Sequence, residues 1–389
     1  MSSQGDIQPE PTPDLHLPKG DTAVQLSIIN AQCDIVCPSS GFVKPIIKGH
    51  PYLNLPTFCF HIRHPSGKEI LFDLGGRKDY WNFSPNTFAT IKKLIPAVNI
   101  TKGVDEILTE GGVDISKISA MVISHWHWDH LGDPSLFPKS AELIVGPGFK
   151  KNFMPGYPAQ EDAHLLETDF EGRTVREPEF SPDFKIGQFE AYDYFGDGSF
   201  YILNVPGHAT GHISGLARTT KDTFVFCGGD VCHFGGSFRP TQYAPMPAEI
   251  PKGVPLDPAR FTTPCPCSIF TAAHPNKGKE RTSPYYEVSD AAESWYVEPP
   301  AAQRSINALQ EFDASPNVMV CIAHDEALPK VVDFFPNGTL NDWQKKGWKP
   351  NGRWGFLNAI PVDGKESAPW ITPGLMKDGE LTDWSEYKP

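Results

Sequence analysis

The chain has 389 residues, of which 39 % are hydrophobic and 12 % aromatic, and it carries a formal net charge of −13. A chain of that length and apolar share can bury a substantial core. The acidic balance, with no run of Lys or Arg, excludes a nucleic-acid phosphate backbone as the main partner, and no stretch of about 18 apolar residues offers a membrane span.

Residues 1–21 are polar and Pro-rich, without a basic start leading into an apolar stretch. They predict a flexible segment rather than a secretory leader, and the cytoplasm is the expected location. Eight cysteines stand at 33, 37, 59, 227, 232, 265, 267 and 321. In a chain this size without a leader they read as reduced thiols. Cys33 with Cys37, or Cys265 with Cys267, would be half of a zinc site, but neither has a matching second pair.

In chain order, residues 23–30, 57–62 and 69–73 read as strands, the last followed by Gly75-Gly76. Residues 86–94 and 104–109 read as helices. The apolar run 118–124 is of strand length and delivers the chain into His125. A strand at 142–145 is followed by a loop-rich stretch, 146–184. In the second half, 201–205 reads as a strand ending in Pro206-Gly207-His208, while 213–218 and 223–227 read as a strand pair running into Gly228-Gly229-Asp230. Residues 235–300 have little periodicity and much Pro, and are taken as an insertion. Ala302, Ile306 and Leu309 share one helical face over 301–312, and a last strand at 318–322 delivers His324. Alternating signals in two halves point to layered α/β. The expected organisation is one domain over 22–389, with the insertion at 235–300 and a C-terminal extension after about 335.

Asp73, His125, His208, Asp230 and His324 each fall where a strand ends and a loop begins, the place where a rigid sheet presents chemistry. The run His125-Trp126-His127-Trp128-Asp129-His130 puts three histidines and an aspartate within six residues, which packing does not explain. Neutral imidazole and carboxylate are the ligands of zinc and similar ions. A bound metal brings the pKa of its water to about 7, and two ions about 3.5–4 Å apart can also polarise a substrate carbonyl. In an extended backbone His125 and His127 point the same way, leaving Asp129 and His130 to turn toward a second ion.

Phe72-Asp73-Leu74-Gly75-Gly76, the 124–132 segment around the histidine run, Pro206-Gly207-His208-Ala209-Thr210-Gly211-His212, Gly228-Gly229-Asp230 and Ala323-His324-Asp325 together resemble the metallo-β-lactamase superfamily, motif by motif and in its order. The resemblance implies an αββα sandwich with two divalent ions, zinc foremost, at one edge. It implies His125, His127 and His208 on one ion, Asp129, His130 and His324 on the other, Asp230 bridging, and Asp73 orienting a ligand histidine. Within the superfamily the chain is most similar to the N-acyl homoserine lactonase-like group. That group carries a Tyr three residues after the bridging Asp, and His233 stands there instead. His233 either substitutes for the phenol or lines the pocket.

Of the remaining residues, His212 is expected to support its loop by hydrogen bonding. At least one of Trp126 and Trp128 packs the sheet edge. Phe234, Phe238 and Tyr243 either wall a pocket for a hydrophobic or aromatic substrate or pack the insertion. His61, His64, His164 and His274 have no ligand-like context. Trp343, Trp348 and Trp354 are expected to anchor the tail, and Asp325 and Glu326 to cap a helix after His324. The leading expectation is hydrolysis of a lactone or related cyclic ester, with Asp129 or a water protonating the departing oxygen. Its rivals are a lactam or cyclic carbamate hydrolase, a thioesterase of the glyoxalase II type and, last, a non-catalytic binding protein.

Overall fold

The computed structural model describes residues 5–385 apart from positions 263 and 367. Two sheets form its centre. The first runs, in spatial order, Ala97–Ile100, Gln25–Pro38, Tyr52–Arg63, Glu69–Phe72, Ile118–Val122, Glu142–Ile144 and Val175–Arg176. Its early strands pair antiparallel and the last four run parallel. The second runs Val318–Cys321, Phe224–Cys227, Ile213–Arg218, Phe200–Asn204, Phe189–Asp193 and Lys185–Ile186.

Side-chain parity makes these sheets a sandwich. Successive strand residues point to opposite faces, so Ile70, Phe72, Ala120 and Val122 meet Phe200, Ile202, Val225, Cys227, Met319 and Cys321 in the core between the sheets. The alternate residues Leu71, Met121, Tyr201, Leu203, Phe224 and Phe226 belong to the outer core. Each fully buried apolar side chain of this kind contributes roughly 1.5–3 kcal/mol. Helices Pro85–Leu94 and Val104–Glu110 share the outer core with the first sheet. Ser84 caps the former by accepting from the Thr87 backbone N–H, with Pro85 at the first helical position. Helix Pro299–Ala314 covers the second sheet, with the Phe312 ring 5.7 Å from Phe189 and 4.9 Å from Phe226. The result is the expected αββα order.

The predicted strand at 23–30 runs on to Pro38, because an irregularity between Asn30 and Asp34, where Gln32 has φ 50°, breaks the alternation without ending the pairing. Cys33 and Cys37 therefore lie inside a strand, and all eight cysteines are free and buried. Strands Ala97–Ile100 and Phe189–Asp193 were not legible from periodicity. Among its described residues the expected insertion, 235–300, holds two-residue strands, a short turn at Gly235–Ser237, one helical turn at Ser268–Thr271 and, at its end, the first residues of helix Pro299–Ala314. Of the N-terminal segment expected to be flexible, 1–21, the described part has neither helix nor strand but lies against the body. The Leu15 carbonyl accepts from Gly187 N at 2.7 Å, the Pro18 carbonyl accepts from Arg218 at 2.6 Å, and Leu15 is buried.

The C-terminal extension closes the far end of the sandwich. Leu340 and Trp343 enter the core between the sheets. Asn341 donates to the carbonyls of Val24 and Thr219 at 2.7 and 2.8 Å and accepts from Leu26 N at 3.0 Å. Trp348 and Trp354 are buried as well, so the three tryptophans do anchor this segment. Beside them Asp313 faces Arg239 at 2.7 Å and Arg353 at 3.4 Å, while Lys349 donates to the carbonyls of Ser315 and Val318.

His50, 5 % exposed, has Nδ1 in a hydrogen bond with the Tyr286 hydroxyl, 2.6 Å away, and burial pulls its pKa down to about 4. The unfolded chain, with His near 6.5, binds the extra proton first. Stability is therefore expected to fall as pH drops from about 6.5 to about 4, by about 3 kcal/mol from this residue. Urea unfolding of wild type and His50→Phe across that window checks it. Identical pH slopes would refute the assignment.

Candidate metal centre

Five of the residues expected at the site are delivered by strand ends. Glu69–Phe72 hands over Asp73, Ile118–Val122 leads to His125, Phe200–Asn204 to His208, Phe224–Cys227 to Asp230 and Val318–Cys321 to His324. Asp73 takes φ 61°, a conformation that a short polar side chain tolerates better than most. Trp128–Leu131 form one helical turn that lifts Asp129 and His130 over the same edge. Gly229 has φ +52°, and a Cβ there would sit 2.7 Å from that of Ser124, so only glycine lets the Asp230 loop approach the His125 loop.

The structure brings all seven expected ligand side chains together, in two groups: His125, His127, His208 and Asp230, then Asp129, His130, Asp230 and His324. All seven are buried. In the first group His125 Nε2, His127 Nδ1 and His208 Nε2 lie 2.8, 3.0 and 3.2 Å apart, with Asp230 Oδ2 at 3.6 Å from His125 and 3.4 Å from His208. In the second, Asp230 Oδ1 is 3.1 Å from His130 Nε2 and 3.2 Å from His324 Nε2, and Asp129 Oδ2 is 3.5 Å from both. Four donors in a tetrahedron at about 2.0–2.1 Å from an ion stand about 3.3 Å from one another. The observed separations fit that spacing.

Hydrogen bonds fix which nitrogen each ring turns inward. Ser124 Oγ donates to Asp73 Oδ2 at 2.8 Å and so accepts from His125 Nδ1 at 3.0 Å. His130 Nδ1 donates to the same Asp73 oxygen at 2.9 Å, and His324 Nδ1 donates to the Pro56 carbonyl at 3.1 Å. All three rings are left with a bare Nε2 facing the centre, the arrangement ligating histidines need. Among the described residues, His130 Nε2, His324 Nε2 and Asp230 Oδ1 are buried and face only one another and the rest of the cluster, without a well-formed hydrogen bond, an arrangement that a cation between them satisfies. The residues present therefore fit a divalent metal.

Charge points the same way. Burial, and then the neighbouring histidines, hold His125 and His208 well below the usual imidazole range, and burial takes His127 to about 3. These three are neutral, as ligation requires. Burial opposes charge on His130 and His324 too, but Asp230 and Asp129 outweigh it and raise both. The second group thus carries excess negative field.

His212 supports its loop as expected: Nδ1 donates to the Val205 carbonyl at 2.9 Å, and Nε2 accepts from Asp230 N at 3.0 Å. Trp128 packs in the core, while Trp126, half-buried, stacks on Phe153 and lies 4.8 Å from the His164 ring. His61, His64 and His274 are engaged elsewhere, by Glu69, Asp197 and the Ser283 carbonyl. Phe234 and Phe238 are core residues and do not wall the cavity over the cluster, nor does Tyr243. Apart from the cluster and His233, that cavity is lined by Phe42, Trp295, Trp128, Leu55, Ile35, Ile95 and Cys37. Asp325 holds the bend after His324 by accepting from Ala327 N at 2.9 Å, and only a short turn, Leu328–Lys330, follows. A larger cavity of about 310 Å³ opens beside Arg77 and Asp105, away from the cluster.

His233 lines the cavity, with Nε2 3.0 Å from Asp230 Oδ2. Reading the sequence missed Tyr296, whose hydroxyl is 3.1 Å from His233 Nδ1, and Trp295 beside it. They sit in an aperiodic stretch where only their being aromatic gave a signal.

A layered sandwich with clustered imidazoles and carboxylates at its strand ends defines a metal-dependent hydrolase. Residues 53–228 match the family model of the metallo-beta-lactamase superfamily. A gamma-lactamase of Fusarium pseudograminearum is 41 % identical over 90 % of this chain and 86 % of its own. A metallo-hydrolase of Annulohypoxylon moriforme is 38 % identical over 90 % and 91 %. A solved N-acyl homoserine lactone hydrolase, with its product bound at the catalytic metal centre, shares the fold with a TM-score of 0.54 at 18 % identity, over 81 % of this chain and 99 % of that one. The chain belongs to the metallo-β-lactamase superfamily. Among its described residues no helix is long and apolar enough to cross a membrane.

Proposed function

We propose that the protein is a dinuclear metal hydrolase, with zinc the ion its donors suit, that opens a small cyclic carboxylic derivative, a γ-lactam in the first instance. The observation that carries this reading is the sharing of Asp230 between two donor groups, one carboxylate oxygen turned to each. His125, His127 and His208 would hold one ion, and Asp129, His130 and His324 the other. Divalent cations bound there supply Lewis-acid polarisation of a carbonyl and ionise water near neutral pH. The apolar walls, Phe42, Leu55 and Trp295, exclude bulk water and seat the ring. The Asp129 carboxylate lines the same cavity, where it would take the proton that the attacking water gives up and return it to the departing atom.

A lactam is placed first because the gamma-lactamase relative spans most of both chains. A lactone is the second reading, favoured by the few proton donors in the cavity: both His233 nitrogens are engaged, and an ester oxygen leaves with less protonation than an amide nitrogen. Eight unpaired, buried cysteines support a reducing, cytoplasmic setting. The test is turnover of matched γ-lactam, lactone and thioester substrates by zinc-loaded protein and by His127→Ala. Ring opening of the lactam, lost in the variant, is expected. Equal turnover by both proteins, or turnover of the thioester alone, would overturn the reading.

A further inference from the structure

We infer that Tyr296, from the 235–300 insertion, sets the tautomer of His233 so that its Nε2–H holds the shared carboxylate of Asp230 in place. This rests on the reading of the cluster as a metal centre. The chain of donors has one consistent direction. Asp230 Oδ2, 3.0 Å from His233 Nε2, can only accept, so the proton on that nitrogen belongs to His233. A neutral imidazole with its proton on Nε2 has a bare Nδ1, and that atom faces the Tyr296 hydroxyl at 3.1 Å. The phenol therefore donates. Tyr296 and His233 are both buried, and burial keeps the phenol protonated by raising its pKa well above the usual value.

The rings around the pair leave it little freedom. His233 lies 4.2 Å from Phe42 and stacks on His324 at 5.6 Å, with 13° between the planes. The segment bearing Tyr296 is also fixed to the site itself. Trp295 N–H donates to the Gly41 carbonyl at 2.9 Å, Tyr296 N–H to Ser294 Oγ at 3.1 Å, and Val297 N–H to the carbonyl of His208 at 3.0 Å. A Cβ on Gly41 would stand 2.7 Å from the Trp295 ring, so that close approach needs glycine. A stretch of chain without regular structure is thereby locked onto a ligand's own backbone, and it spends that rigidity on one hydroxyl. Asp230 is held from two sides: His212 accepts from its N–H, and His233 donates to its side chain. Because Oδ2 faces the three-histidine group, the support from Tyr296 and His233 bears first on the ion held there.

Zinc affinity, measured by competition with a chromophoric chelator, tests this, together with the visible spectrum of the cobalt(II)-loaded protein. The proteins are wild type, Tyr296→Phe, His233→Ala and the double variant. Thermal unfolding after chelation verifies that each is folded. Tyr296→Phe keeps the ring and loses the hydroxyl, and is expected to weaken zinc binding by about tenfold or more and to shift the cobalt bands. In the His233→Ala background the same change is expected to do nothing further, because Tyr296 acts through His233. Unchanged affinity and spectrum in Tyr296→Phe would overturn the inference. So would an equal loss in both backgrounds, which would make Tyr296 an independent packing residue. Failure of the underlying reading looks different: wild type itself would take up no metal.

Discussion

Asp230→Ala is expected to cost at least about three orders of magnitude in hydrolytic turnover, since metal-assisted charge stabilisation is worth several kcal/mol and each 1.36 kcal/mol is a factor of ten. The two oxygens of this one side chain face different groups, Oδ2 the three-histidine group and Oδ1 His130 and His324. Its loss should therefore lower the metal content of both positions together, whereas His324→Ala should spare the first. Asp230 also balances the electrostatics of the cluster. Burial acts against its charge, but His130, His233 and His324 hold its carboxyl well below the usual range. Elemental analysis and initial rates on the same preparation would decide the matter: full metal content with near-wild-type turnover would remove Asp230 from the centre.

Asp313→Ala is expected to destabilise the fold by about 3–5 kcal/mol, the usual result of deleting one partner from a buried ion pair. That is a large part of the roughly 5–15 kcal/mol that holds a domain together. Burial opposes ionisation of Asp313, yet Arg239, Arg353 and Lys349 hold its carboxyl well below the ordinary range. Its folded pKa is depressed, so its contribution is present above the unfolded value near 4 and is lost only as pH falls through the lower, folded one. Without it, the guanidinium groups of Arg239, from the insertion, and Arg353, from the C-terminal extension, would lie in the interior without the carboxylate they share. Lys349 also donates to the carbonyl of Val318, at the start of the strand that leads to His324. The urea midpoint at pH 7 is the measurement, and a shift worth less than about 1 kcal/mol, well under the usual cost, would show the network to be incidental.

The candidate centre was legible because its residues follow short apolar strands and because imidazoles and carboxylates crowd into residues 125–130. Chemistry of that density has few alternative explanations. Most of the sandwich was legible for a related reason: strands such as Ile118–Val122 and Val318–Cys321 are buried on both faces and read as continuous apolar runs. What escaped lacked a period. Ala97–Ile100 is a four-residue edge strand after a helix, and Phe189–Asp193 mixes charged with aromatic residues. The cavity wall stayed undecided for the same cause. Phe234 and Phe238 follow Asp230 in sequence but turn into the core, while Phe42 and Trp295 come from distant segments that nothing local marks as neighbours. Tyr296 was invisible in the same way, since its partner is 63 positions away.

The chain crosses from one sheet to the other only once on its way between the two sets of donors, in the stretch 177–184. Everything that reaches the centre from before it, His125, His127, Asp129 and His130, is severed from His208, Asp230 and His324 by a single cut there. Neither fragment would own a complete claw. Catalysis by a nicked sample would therefore count the pairs that had found each other again, turning ring opening into a gauge of how firmly the two layers clasp.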